Sequence, residues 1–396
     1  MNTVSRLYFR SWRPAVLVLS LLLVAYLLYF HRLESLLPGY NTQEISTYRQ
    51  AASWHNLATN PINLPYTFLV WLGTAILHHG IIVTRIVSAC FGLVAVVLFY
   101  AIIRPWYGFR TVFLSTILFA TSAGLLHTAR FGTGQVLQMA VLAAIMAALW
   151  YHRHPQWRRL IGFYVALLLP LLLYIPGMLW FELFGLVMLR GRVLHQIRQV
   201  PIRYLVGWGL VSLAAVTPLL WAGFRTPHIF LSAAGLPQHL DVLSHIGSNT
   251  LNAIMSIGVR SNGNPLWWVG HTPLLGSVEL VLGAIGAYFY LYRERSRRGI
   301  FLTGSVALAV ILLGLGGPVG FGCLVPLLYL FIASGLDHLL GQWLAVFPRN
   351  PIARATGIGL VCIMLSFSVL YQTRSYFVAW PHHAATRQAF SHPKPN

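Results

Sequence analysis

Charge, and acidic charge above all, is scarce in this chain of 396 residues. Only 9% of the residues are charged, seven are Asp or Glu, and Lys394 is the single lysine. A soluble globular domain carries about 25% charged residues. The composition therefore excludes a soluble enzyme and a disordered chain, and with 57% hydrophobic residues it indicates a polytopic membrane protein.

Sequence motifs for metal, nucleotide and serine-hydrolase chemistry are missing as well. The three cysteines lie singly in apolar runs, and the sixteen histidines form no HExxH motif and no cluster with Cys or Asp. No Walker loop, GxGxxG or GxSxG motif occurs. We therefore expect no metal and no cofactor. The net charge of +20 comes from short arginine clusters between apolar runs rather than from one patch, so we expect no nucleic-acid partner.

Long apolar runs predict an all-α fold with about eleven transmembrane helices, since 17–25 apolar residues cross a bilayer core of about 30 Å. A proline and a glycine at 176–177 are expected to split one long run into two short helices. No small-residue cleavage site follows the first run, which we interpret as an uncleaved anchor. The predicted spans are residues 14–30, 83–103, 111–127, 135–151, 159–174, 176–189, 204–223, 274–292, 300–316, 319–340 and 355–372.

The arginine clusters predict the orientation of these spans. If the N-terminus lies inside the cell, alternation of the spans places 18 of the 27 basic residues in inside segments, as the positive-inside rule requires. The C-terminus then lies outside. We expect a multi-pass protein of the cytoplasmic (inner) membrane, with membrane lipids as its surroundings.

Two outer segments, 31–82 and 224–273, are too long to be simple turns. In the first, residues 45–57 are expected to form an amphipathic surface helix, and residues 61–77 to lie in the interface or re-enter the membrane. In the second, Trp267 and Trp268 fit an interfacial aromatic belt. Residues 1–372 are expected to form a single transmembrane domain, and residues 373–396 a loosely ordered outside tail.

Three acids are candidates for chemistry. Glu44 follows the first span in the stretch GYNTQEISTYR at 39–49, where it serves either as a helix-capping acid or as a catalytic base. Glu182 lies within a span, where an ionisable group is by default a functional candidate; its alternative role is that of a carboxyl satisfied by a neighbouring helix. Glu279, near the outer end of a span, faces either the site or the interface.

Arginines on the outer side are candidate ligands for a phosphate, because the planar guanidinium makes bidentate contacts with phosphate oxygens. Arg130 stands at the outer end of the third span in HTARFG at 127–132. Arg49 follows Glu44, and Arg260 lies in the second outer segment. The alternative for each is contact with lipid headgroups.

The order of several motifs resembles the GT-C class of membrane glycosyltransferases that use polyprenyl-phosphate-linked sugars. After the acid at Glu44 come NLPYTFLVWL (63–72), TRIVSACFGL (84–93) and HTARFG (127–132). This order is similar to that of the protein O-mannosyltransferase and lipid A aminoarabinose transferase family over roughly residues 14–150. The resemblance implies a GT-C-like fold and a polyprenyl-phosphate sugar donor.

If the protein is such a transferase, its site is expected at the outer face. Glu44, the only well-placed base, would be the catalytic residue, and Arg130, helped by Arg49 or Arg260, would bind the donor phosphate. Further site-lining candidates are Gln43, Tyr48, His127, Glu182 and Glu279. The chain departs from the family where an Asp-Glu pair is expected, because Gln43 stands in place of the Asp. It also lacks the acid expected after the HTARFG segment, where residues 133–135 are Thr, Gly and Gln.

Three functions are compatible with these features. The first is a glycosyltransferase that moves a sugar from a polyprenyl phosphate to a lipid, glycan or protein acceptor at the outer face of the cytoplasmic membrane. The second is a GT-C-fold scaffold or lipid-binding partner without transferase activity, as the missing acids indicate. The third is a transporter or flippase, for which Glu182 within a span is the main support.

Overall fold

The computed structural model describes residues 23–77, 80–153, 158–239, 244–294 and 297–393, and these residues form helices with no strand. The predicted first span lies partly outside the described residues. Its helix, α1, is described over residues 23–29. Residues 78–79, 154–157, 240–243 and 295–296 also lie outside, as do both ends of the chain.

The first outer segment folds into three helices, α2 (Thr42–Gln50), α3 (Trp54–Thr59) and α4 (Leu64–Leu77). The single amphipathic helix expected over residues 45–57 is therefore wrong. Ala51 ends α2, and the Ser53 side chain accepts a hydrogen bond from the Asn56 N–H to begin α3. A serine is a favoured N-cap, which explains the break between the two helices.

The remaining helices follow the apolar runs. From residue 83 onward, each predicted span coincides with one helix or with consecutive helices. The bounds are α5 (Ile82–Ile103), α6 (Phe109–Thr121), α7 (Ala123–Arg130), α8 (Val141–Arg153), α9 (Arg158–Leu172), α10 (Met178–Ile197), α11 (Ile202–Arg225), α12 (His228–Ala233), α13 (Ile246–Gly258), α14 (Ser277–Tyr288), α15 (Arg297–Gly314), α16 (Leu324–Val346), α17 (Pro351–Arg374), α18 (Trp380–His382) and α19 (Ala384–Ala389).

Among the described residues, four helices are long and apolar enough to cross a membrane alone, and a fifth span arises if the bent pair α6–α7 counts as one. That pair bends by 53°, where Ser122 has an extended backbone and its hydroxyl caps the N-terminus of α7. Several other apolar helices are shorter, such as α9 and α14. The count of eleven spans is not confirmed and stays a prediction.

Helix α16 lies at the centre of the bundle, because every one of its residues from 324 to 336 is buried. It packs closely against α14, where Gly286 faces the Phe331 carbonyl and Gly335 faces the Leu282 carbonyl. Small residues allow two helix backbones to approach in this way. Helix α11, by contrast, exposes large apolar side chains such as Leu210, as a lipid-facing helix does.

The C-terminal region packs against the outer segments, so the expectation of a loosely ordered tail is wrong for residues 373–393. A π-helix (Ser375–Ala379) continues α17 and leads into α18 and α19. Trp380 and Phe390 are buried in the main core. Tyr40 pairs with His392 through a backbone bridge. The buried apolar side chains of Trp380 and Phe390 hold this otherwise polar region against the rest of the protein.

Candidate functional site

Glu44 lies at the start of α2, inside the protein rather than at its surface. Asn41 caps the helix, and the Glu44 carboxylate accepts a hydrogen bond from the Asn41 backbone N–H at 3.2 Å. The expected capping role is therefore present. The residue is completely buried, and a buried carboxylate requires a compensating charge.

Arg85 of α5 supplies that charge through two hydrogen bonds. Its Nε donates to Glu44 Oε1 at 2.7 Å, and its Nη2 donates to Glu44 Oε2 at 2.8 Å. The guanidinium also donates to the carbonyls of Leu33 at 2.9 Å and Gly39 at 3.0 Å, and it lies 4.4 Å from the centre of the Tyr40 ring. Burial raises the pKa of the Tyr40 phenol above its ordinary value, although Arg85 lowers it.

Gly132, just after α7, completes the surroundings of Glu44. Its backbone N–H donates to Glu44 Oε1 at 2.9 Å. A side chain at this position would overlap the Thr84 hydroxyl, so glycine permits the close approach. Because a carboxylate offers about four acceptor positions, these four donors leave Glu44 no free one. The residue ties the first outer segment to α5 and to the end of α7.

Arg130, at the end of α7, is also buried and also binds the first outer segment. It donates to the carbonyls of Leu28 and His31, each at 2.8 Å, and to the Tyr376 hydroxyl at 3.3 Å. The rings of Tyr376 and Phe377 lie against the guanidinium. Arg85 and Arg130 together hold four backbone carbonyls between residues 28 and 39, where α1 ends.

The other predicted phosphate ligands stand at the surface. Arg49 is exposed at the end of α2, and Arg260 is exposed just after α13. Gln43 is exposed and Tyr48 is half-buried on α2. The guanidinium groups of Arg49 and Arg260 and the Gln43 amide are thus accessible from outside, whereas the Arg130 guanidinium is buried.

A small cavity of about 30 Å³ lies beside His127, large enough for one or two water molecules. It is bounded by α7, the end of α17 and the loop that follows Arg260, with Trp267, Trp268, Thr128 and Gln372 in its wall. The His127 ring is packed edge-on against Tyr376 and Trp380. Its Nδ1 is buried with no hydrogen-bond partner among the described residues.

The two tryptophans therefore do not both form the expected interfacial belt. Trp268 is buried and packs edge-on against Phe321 at 5.3 Å between ring centres. Trp267 is half-buried and contacts Phe131 in the same manner at 5.1 Å. Tertiary packing of the second outer segment, not the membrane interface, determines the position of Trp268.

Glu279 forms a second buried carboxyl site, at the start of α14. It accepts hydrogen bonds from the Gly276 N–H at 2.6 Å, the Ser368 hydroxyl at 2.8 Å, the Gln372 amide at 2.9 Å and the Tyr329 hydroxyl at 3.4 Å. Gln372 in turn accepts from the Ala123 N–H and lines the cavity. Glu279 thus connects indirectly to the wall of that cavity.

Glu182 occupies a different place. It is half-buried on α10, and its Oε1 atom has no hydrogen-bond partner within the described part of the chain. Within the part of the chain that the structure describes, no contact brings it to the Glu44 cluster or to the cavity at His127. The structure therefore separates Glu182 from the other candidates.

Arg85 is the main residue that was not selected from the sequence. It is the only charged residue in the apolar run of α5, and an ionisable residue inside such a run is a functional candidate. That signal was present in the motif at 84–93. Gln372 and Trp380 carried no comparable signal, because only tertiary packing brings them to the cavity.

No protein-family model and no curated protein sequence matches the chain. Two kinds of solved structure match in fold. ArnT from Cupriavidus metallidurans, bound to undecaprenyl phosphate, is 14% identical with a TM-score of 0.50; the match covers 94% of this chain and 76% of ArnT. The Archaeoglobus fulgidus oligosaccharyltransferase tethered to an acceptor peptide is 15% identical with a TM-score of 0.55.

The match to the oligosaccharyltransferase covers 98% of this chain, which spans only 56% of that enzyme. Its apo form gives a TM-score of 0.52 with the same 56% coverage. At these identities the likeness concerns the fold. The resemblance found in the motifs is thereby confirmed at that level: the chain has the fold of the GT-C membrane glycosyltransferases.

Proposed function

We propose that this protein is a membrane glycosyltransferase that moves a sugar from a polyprenyl-phosphate donor to an acceptor at the outer face of the cytoplasmic membrane. The observation that carries this proposal is the shared fold, which extends over 94% of the chain in the comparison with ArnT. ArnT was solved with undecaprenyl phosphate, a ligand of the proposed donor class. The arginine distribution supports an inside N-terminus and an outside C-terminus.

The reaction needs cationic groups for the leaving phosphate. Arg85 and Arg130 are engaged with carbonyls and with Glu44, so we assign them the role of holding the first outer segment. Arg49 and Arg260 are exposed, and we assign them the phosphate. For Glu44 to accept a proton, its ion pair with Arg85 would have to open. The geometry therefore favours a positioning role for Glu44.

His127 is the proposed proton acceptor, because the residue borders the cavity and its buried Nδ1 has no hydrogen-bond partner among the described residues. In the proposed step the acceptor oxygen attacks the anomeric carbon of the sugar. The bond from that carbon to the phosphate oxygen breaks, and its electron pair stays on the polyprenyl phosphate. The acceptor proton moves to His127 Nδ1. The cavity is too small for a sugar, so its walls have to separate before a sugar can bind.

The test is transfer by the full-length protein in proteoliposomes that contain a radiolabelled polyprenyl-phosphate sugar. Release of polyprenyl phosphate and labelling of an acceptor fraction are measured together. His127→Gln is expected to lower the rate about a hundredfold or more, as loss of a general base does. His382→Gln is the control, because that histidine is exposed on α18.

The phosphate assignment is tested in the same assay. Arg49→Gln and Arg260→Gln are expected to weaken donor binding about tenfold each, because charge-assisted hydrogen bonds are stronger than neutral ones. Arg225→Gln is the matched control, since this exposed arginine stacks on Trp221 instead. Equal donor binding by all three variants would contradict the assignment.

A second candidate function is a lipid-binding partner with this fold and no transferase activity. The full engagement of the Glu44 carboxylate, together with Gln43 where the resembled family has an acid, favours it. Binding of a polyprenyl phosphate without any turnover, for every sugar and acceptor tried, would support this function. Turnover by the purified protein would eliminate it.

A further inference from the structure

A larger cavity lies at the other end of the central helix. It has a volume of about 360 Å³ and is lined by Trp106, Tyr107, Tyr290, Arg298, Asp337 and Gln342. The cavity at His127 contacts the residues just before α16, and Asp337 follows about 13 residues into that helix. At 1.5 Å per residue the two sites are about 20 Å apart. The proposed topology places the larger cavity at the inner membrane face.

Aromatic rings and one cation form one wall of this cavity. The hydroxyls of Tyr107 and Tyr290 are hydrogen-bonded at 2.5 Å, which fixes the two rings. The Arg298 guanidinium lies 4.4 Å from the centre of the Trp106 ring. Arg298 is exposed, so the N–H groups at the edge of the stacked guanidinium are accessible to a ligand.

Asp337 provides a negative charge in the same cavity. Its Oδ1 accepts a hydrogen bond from the Thr111 hydroxyl at 2.9 Å, and the side chain is half-buried. Within the described ranges of the chain, the structure contains no ion pair between Arg298 and Asp337. The cavity thus presents a cation and an anion that are separated from each other, with aromatic surface beside them.

We propose that this cavity binds a phosphoethanolamine group, the zwitterionic head of a membrane phospholipid. Arg298 would donate to the phosphate oxygens, as guanidinium groups do. Asp337 would accept from the ammonium, which also lies favourably near aromatic rings. A volume of 360 Å³ falls in the usual range of small-molecule sites, about 300–1,000 Å³. The position at the end of a membrane-spanning helix favours a lipid over a free solute.

The test measures lipid binding to the full-length protein in detergent by native mass spectrometry. Phosphatidylethanolamine is expected to bind in preference to phosphatidylglycerol, which has a phosphate but no ammonium. Arg298→Gln is expected to weaken phosphatidylethanolamine binding about tenfold. Asp337→Asn, which keeps an acceptor for Thr111, is expected to remove the preference for phosphatidylethanolamine. Arg110→Gln, an exposed arginine at the same end of the bundle, is the control.

Three results would overturn the proposal. The first is equal binding of the two lipids to the native protein, and the second is equal effects of Arg298→Gln and Arg110→Gln. The third is displacement of the lipid by soluble glycerophosphoethanolamine at equal concentration, which would identify a free solute as the ligand. Thermal unfolding of each variant is measured in parallel, so that loss of folding is not mistaken for loss of binding. These readouts do not depend on transferase activity.

Discussion

Replacement of Glu44 by Gln tests whether this residue organises the outer face. A glutamine has nearly the same shape, and its oxygen can keep the hydrogen bond to Arg85 Nε. Its amide nitrogen accepts no hydrogen bond, so Arg85 Nη2 loses an acceptor at 2.8 Å and the Asn41 N–H loses one at 3.2 Å. The buried arginine then lacks its counter-charge.

The expected cost follows from the burial of both partners. Removal of one partner from a buried ion pair destabilises a protein by about 3–5 kcal/mol. The measurement is the free energy of unfolding in mixed micelles titrated with sodium dodecyl sulfate. Arg49→Gln is the control, because Arg49 is an exposed charged residue on the same helix, and exposed substitutions change stability by about 0.5 kcal/mol or less.

A double variant separates the ion pair from other effects of the substitution. In Glu44→Gln with Arg85→Gln neither member of the buried pair carries a charge, so the double variant is expected to cost about 0.5–3 kcal/mol less than the sum of the single variants. Strict additivity would refute the reasoning. So would a Glu44→Gln protein with native stability. If that protein were also inactive in transfer, Glu44 would be a catalytic rather than a positioning residue.

Two further predictions concern packing and the second carboxyl site. Gly286→Ala is expected to destabilise the bundle, because the new Cβ would overlap the Phe331 carbonyl where α14 meets α16. Gly359→Ala is the control: its Cβ meets open space, so this variant is expected to be neutral or slightly stabilising. Equal unfolding midpoints of the two variants in the detergent titration would contradict this prediction. Glu279→Gln is expected to lower the free energy of unfolding by about 1–3 kcal/mol, because the amide nitrogen cannot accept the hydrogen bond from Gln372. An unchanged free energy of unfolding would show that this carboxyl is dispensable for stability.

The positions of the helices could be predicted well from the sequence, because apolar length and turn residues are local signals. Helix α5, for example, begins one residue before the predicted start of its span and ends at the predicted residue. The break between α2 and α3 was missed, although Ser53 is a favoured N-cap. The packing of the C-terminal region was missed because its few apolar anchors, such as Phe390, are separated by polar residues.

The candidate site was harder to predict, since its residues come from distant parts of the chain. Glu44 and Arg130 were selected from the sequence, but both are satisfied inside the protein by hydrogen bonds. The partner of Glu44 is 41 residues away, and the N–H of Gly132 is 88 residues away. No local pattern specifies such contacts in a single sequence.

The sequence by itself determined that this is a helical membrane protein, where most of its helices lie, and that its motif order resembles the GT-C class. These conclusions depend on composition, apolar length and residue order along the chain. Only the tertiary structure decided that Glu44 is paired with Arg85, that His127 borders a cavity, and that Arg298 and Asp337 face a second one. These contacts join residues that are distant in the sequence, and they depend on which helices pack against each other in the whole bundle.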